Sequence, residues 1–110
     1  MASPTIKLGF AGNVYTRMMV FENAGDVEEG HTHDFDHLTL LASGSLQITA
    51  NGEHTIFQSP HMIWIKKDVN HLLTALEPNT VAYCIHGVHG KNGDIVSSDM
   101  VPRGVTKLNV

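Results

Sequence analysis

Apolar residues recur at short intervals between turn-forming residues along this chain, and no stretch sustains the 3.6-residue spacing of a long helix. The pattern predicts an all-β protein. "NVYTRMMVF" (13–21) has the residues of a strand, and "LTLLASGSLQITANGEHTIF" (38–57) predicts two hairpins, turning at Ser43-Gly44 and at Asn51-Gly52. Asn-Gly accepts the positive φ angles that a two-residue hairpin turn demands. "HMIWI", "HLLTAL" and "TVAYCIHGV" are further expected strands, separated by "KKDVN" and "EPN", with a last turn at "GKNGD". About eight or more short strands in a small domain point to a sandwich or barrel. The apolar set Phe35, Leu40, Leu46, Ile48, Phe57, Ile63, Trp64, Leu72 and Ile85 is expected to form the core, part of it lining a ligand pocket. The tail 95–110 alternates only weakly and contains Pro102-Arg103-Gly104. It is expected to be an edge strand, a wrap around the body, or a piece that crosses to a partner subunit.

With 110 residues the chain suits one domain, and its 42% hydrophobic content and net charge of −4 are those of an ordinary folded protein. Seven basic residues stand against eleven acidic ones, and Lys66-Lys67 makes no stripe that would release phosphate counterions, so nucleic acid is not an expected partner. No segment has the apolar length of a membrane span, and "MASPTIKLGF" lacks the apolar core of a signal peptide. The expectation is a cytoplasmic protein without a membrane partner. Cys84 is the only cysteine, so it has no intrachain partner and a reducing compartment is permitted.

Three of the eight histidines, His31, His33 and His37, fall within seven positions of "GHTHDFDH". They share parity, but in a straight strand His31 and His37 would lie about 20 Å apart at ~3.3 Å per residue. A bend at Asp34-Phe35-Asp36, where aspartates favour turns, would end one strand at the first two histidines and begin the next at His37. Three imidazoles facing one interior from adjoining strands suit a metal ion with bonds of about 2.0 to 2.1 Å. The competing reading leaves them solvated beside a turn. Asp34 and Asp36 are read as turn residues rather than as acceptors that orient an imidazole. His54, after the Asn-Gly turn, is expected to be exposed, and His61 to be an ordinary edge residue.

"GHTHDFDH" followed by "LLASGSLQI" resembles the first motif of the cupin superfamily: Gly, five residues, His-x-His, three or four residues, Glu, six residues, Gly. Gly25 begins it, His31 and His33 fit the pair, His37 falls at the glutamate place, and Gly44 closes it. The second cupin motif, Pro-x-Gly, two residues, His, three residues, Asn, is matched more loosely by "IKKDVNHLLTAL". There His71 fits the ligand histidine, Asp68 stands near the glycine place, and the proline and asparagine are absent. The resemblance covers roughly residues 25–90. It implies a jelly-roll β-barrel over 1–110 that holds one divalent transition metal per chain, with His31, His33, His37 and His71 as candidate ligands. An alternative has His37 facing away, leaving a three-histidine site. Four neutral imidazoles would leave the +2 charge uncompensated and favour an anionic substrate.

Imidazole suits iron, nickel, copper and zinc alike, and affinity order favours copper in open competition. Iron(II) is favoured here, with manganese, nickel, copper or zinc as alternatives, because an open iron face serves a dioxygenase acting on a small chelating substrate. A non-redox isomerase or lyase, and a non-catalytic metal- or ligand-binding barrel, are the competing functions. Alternation sets Cys84 and His86 on one strand face against Tyr83 and Ile85. If that face looks inward, His86 is a candidate catalytic acid or base; otherwise it is a satisfied barrel histidine. The expected partners are a small-molecule substrate and a second copy of the chain. A homodimer follows from the resemblance and from "TIKLGF" and "DIVSSDMVPRGVTKLNV", which are apolar enough to dock across a twofold axis.

Overall fold

The computed structural model describes residues 2–31 and 36–87, and of Gly30 and His31 the backbone alone. These residues form nine strands and no helix: β1 (Thr5–Ala11), β2 (Val14–Phe21), β3 (Val27–His31), β4 (His37–Ser43), β5 (Ser45–Ala50), β6 (Glu53–Gln58), β7 (His61–Ile65), β8 (His71–Ala75) and β9 (Thr80–Gly87). They lie in two antiparallel sheets, ordered β1-β2-β9-β4-β7 and β3-β8-β5-β6. The core lies between the sheets. Met19, Phe21, Leu41, Ile65 and Ala82 come from the first, and Leu46, Ile48, Leu73 and Ala75 from the second. Among the described residues no helix is long and apolar enough to cross a membrane.

The expected strands form, and the Asn51-Gly52 hairpin joins β5 to β6 with both residues at positive φ, 52° and 76°. The hairpin expected at Ser43-Gly44 does not form. β4 pairs with β7 and β9, whereas β5 pairs with β6 and β8, so Gly44 carries the chain from one sheet to the other. Glycine is required there. Its φ is +82°, and an added Cβ would run into Thr80 Oγ1 and come within 2.9 Å of Thr80 Cα. Thr80 is buried at this corner, where its hydroxyl donates to the carbonyls of Glu77 (2.9 Å) and Ser45 (3.3 Å).

"TIKLGF" lies at the outer edge of the first sheet. It is β1, paired along its length with β2 of the same chain, with Ile6 packed on the core. The expected core needs correction as well. Leu46 and Ile48 belong to it and Phe57 and Ile63 pack against it, but Trp64 is exposed, because Ile63 and Ile65 take the inner face of β7. Leu40, Leu72 and Ile85 are only partly buried, each one residue out of step with a neighbour on the inner face. Phe35, the turn at 90–94 and the tail 95–110 lie outside the described residues.

Candidate functional site

Register decides which side chains share the interior. On the first sheet, Met19 pairs with Ala82 and Ala82 with Leu41, an apolar row across three strands. The next row runs Arg17, Cys84, Thr39 and Ile63. Beyond it Tyr15 pairs with His86, and the Leu38–Ile85 pair sets His37 beside His86. Cys84 packs on the core cluster, so by strand alternation His86 lies on the inward face. On the second sheet, Glu28, Leu73, Ile48 and Thr55 form one row, and His31, His71, Ala50 and Glu53 the next. Between Glu28 and His31 the register shifts, so three steps along β3 match two along β8. This bulge brings His31 opposite His71.

His37 and His71 face each other from opposite sheets, 4% and 2% exposed, with ring centroids 5.2 Å apart. His71 Nδ1 lies 3.0 Å from the Val69 carbonyl. Because a carbonyl only accepts, Nδ1 carries the proton, the kind of supporting contact that orients a metal-binding histidine. Asp68, near the glycine place of the second motif, has φ +62°, a left-handed conformation that aspartate tolerates better than most residues. The Asp36 carboxylate accepts the Lys67 backbone N–H at 2.8 Å, so it ties the start of β4 to the loop before His71. His33 and Asp34 lie outside the described residues, and for His31 only the strand register applies. Among the described residues no group of three or more His, Cys, Asp and Glu side chains converges on a metal position. The paired imidazoles nevertheless have the donor chemistry that a divalent transition metal needs.

Sequence reasoning missed a second polar group. Arg17 Nη1 donates to Glu28 Oε1 at 2.7 Å, tying β2 to β3 across the interior, with the side chains 25% and 12% exposed. The available signal was Arg17 itself, a charge sharing parity with Met19 and Phe21 in an otherwise inward-facing apolar series. Thr39 Oγ1 and Cys84 Sγ are 3.6 Å apart. Burial pushes the Cys84 thiol above its ordinary value, against the opposing Thr39 hydrogen bond and Arg17 charge, while Glu28 pushes it further up. Burial also raises the Tyr15 phenol, opposed by Arg17. Both groups stay protonated at neutral pH.

His86 stacks on Tyr15 at 4.7 Å, and its Nδ1 lies 3.1 Å from the Gly87 carbonyl. His54 is exposed, with Nδ1 2.8 Å from Thr49 Oγ1, and His61 is exposed beside Phe57. A pocket of about 310 Å³ opens between the edge strands β6 and β7. Ile48, Phe57, Ile63 and Ile65 line its apolar part, Glu53 and Lys66 also face it, and His71 forms part of its wall.

No family model matches the sequence, and no curated protein matches it. Solved structures do. KdgF from Halomonas sp. superposes with a TM-score of 0.67 at 17% identity, covering 79% of this chain and 80% of that one. A cupin-2 domain containing protein from Shewanella frigidimarina gives 0.64 at 20% identity, covering 79% and 83%. An RmlC-like cupin with a double-stranded β-helix fold from Methanocaldococcus jannaschii gives 0.68 at 11% identity, covering 84% and 86%. At such identities the likeness speaks for the fold. Two antiparallel sheets closed over one core, matched along four-fifths of the chain by barrels of this kind, give the protein the cupin fold that its histidine motif resembles.

Proposed function

We propose that the protein is a metal-dependent cupin acting on a small organic substrate, with iron(II) as the metal and dioxygenase chemistry as the reaction. The observation that carries this reading is the buried His37–His71 pair, brought together from opposite sheets at 5.2 Å beside the pocket that His71 lines. His31, His33, His37 and His71 would hold the ion. When bound, iron(II) supplies Lewis acidity and a one-electron route to dioxygen. The chain supplies the rest. The pocket, at the lower end of the size range of ligand sites, takes a compact substrate against its apolar walls and limits water. His86, on the same inner face as His37, would move a proton as general acid or base. Cys84, kept as a protonated thiol, suits the reducing cytoplasm.

Metal analysis of protein purified without chelators or nickel affinity, followed by oxygen uptake with diketones, thiols and catechols, tests the reading. Stoichiometric iron and substrate-dependent oxygen consumption are expected. Bound metal without oxygen consumption would favour a non-redox isomerase or lyase, or a binding barrel. A chain that takes up no metal would overturn the metal centre.

The same proposal includes a homodimer. Met62 and Trp64, 70% and 60% exposed, stand on the edge strand β7 next to Leu38 and Leu40 of β4. Such an apolar face at a sheet edge calls for a cover, and a second copy supplies the same face.

A further inference from the structure

We infer that Arg17 is an anion receptor inside the barrel and that the substrate of the proposed metal site carries a carboxylate. The inference rests on the metal-site reading for the place of the reaction, but on Arg17 and Glu28 for the ligand's charge.

The pair stands where the fold does not need it. Its neighbours on the inner faces are Met19 on the same strand and Leu73 opposite Glu28, and a well-packed apolar pair there would hold the sheets together at least as well. A guanidinium has five N–H donors arranged to meet two oxygens at once. Among the described residues both contacts of Arg17 run through Nη1, to Glu28 Oε1 at 2.7 Å and to Met19 Sδ at 3.9 Å. The Nη2 and Nε edge is therefore available for a second carboxylate, and at 25% exposure the side chain is not sealed off.

Position supports the same conclusion. Arg17 pairs with Cys84 and Cys84 with Thr39, which stands two residues from His37 on the same face of β4. Glu28 precedes the bulge that sets His31 opposite His71. The Arg17–Glu28 pair thus occupies the row next to the histidines on both sheets. The candidate ligands are neutral imidazoles, so a divalent ion held by them would keep its charge, and Glu28 is already matched by Arg17. A small acid that binds the ion at one end and Arg17 at the other would supply the missing negative charge. Glu28 then acts as the resting counter-ion, which holds the guanidinium in place but repels an incoming carboxylate.

Calorimetric titration of the full chain, metal-free and loaded with redox-silent zinc, with benzoate against benzamide and pyruvate against pyruvamide, tests this directly. In the wild type each acid is expected to bind at least about tenfold more tightly than its amide, with or without zinc. In the metal-free chain Arg17→Gln should abolish that preference, Arg17→Lys should keep only part of it, and Glu28→Gln should tighten acid binding several-fold. Equal affinity of acid and amide in the wild type overturns the inference without any variant having to fold. So does failure of either acid to bind at millimolar concentration, a preference that survives Arg17→Gln in the metal-free chain, or one that Lys66→Gln abolishes there instead. Failure of the chain to take up zinc would sink the metal site alone, because the metal-free comparison still reads Arg17.

Discussion

His71 is the residue whose surroundings say most about its role. Its Nδ1 proton is committed to the Val69 carbonyl, and its ring, 2% exposed, faces His37. His71→Gln keeps a donor for that carbonyl but removes the imidazole lone pair. Metal affinity should then fall by more than the ~10–100-fold that loss of a supporting partner costs, with an unchanged circular dichroism spectrum. Stoichiometric metal in this variant would contradict ligation by His71. Cys84 yields a second expectation. The folded chain holds the thiol proton above the ordinary value of 9.0, so this contribution to stability is complete below that pH and is lost as pH rises through the higher folded value. Alkylation of native protein at pH 8 should accordingly be at least about tenfold slower than in urea, and equal rates would show an accessible, unshifted thiol. At this scale the sequence was partly legible. The spacing of His31, His33 and His37 drew attention to this part of the chain, and of the three the described side chain is that of His37, which faces His71. Arg17 drew none, because a charge in a strand reads as solvent-facing until pairing with Cys84 shows which way it points.

Strands were legible as elements, but the corners that join them were not. Ser43-Gly44 and Asn51-Gly52 look alike in sequence, each a small polar residue and a glycine between apolar runs. Only the second is a hairpin. The first moves the chain between sheets, and the difference lies in what packs against it: Thr80 presses on Gly44, whereas nothing lies within 4 Å of a Cβ built at Gly52. The two glycines should therefore differ under substitution. Gly44→Ala combines left-handed strain with a clash against backbone and should cost about 2–4 kcal/mol, while Gly52→Ala bears the strain alone, about 1 kcal/mol. Chemical denaturation of both variants measures the difference, and equal losses would mean that Thr80 moves aside freely. The β3 bulge was hidden for a related reason. Periodicity counts residues along one strand, but the extra residue is visible only against its partner, where Glu28 meets Leu73 and His31 meets His71.

For the whole molecule, the all-β reading followed from the absence of helical spacing and needed no tertiary information, whereas inside and outside did not follow from apolarity. Trp64 was expected in the core because Trp in a strand of apolar neighbours usually is. It faces outward because β7 is apolar on both sides, with Ile63 and Ile65 toward the core and Met62 and Trp64 toward solvent. The same holds for β4, where Thr39 and Leu41 point in and Leu38 and Leu40 lie opposite Trp64 and Met62. A sheet that is apolar on both faces has two surfaces to bury, and the barrel buries one. The proposed homodimer buries the other. That surface is a second place for the contact besides "TIKLGF", which as β1 is the outer strand at the other end of the same sheet. Light scattering at micromolar concentration should give twice the 12.0 kDa of one chain. Trp64, the only tryptophan, reports the same event, with emission shifting to longer wavelength as dilution separates the copies. Met62→Glu places a charge at the centre of the face and should yield a folded monomer. A wild-type mass of one chain, or a Met62→Glu variant that stays dimeric, would place the contact elsewhere or remove it.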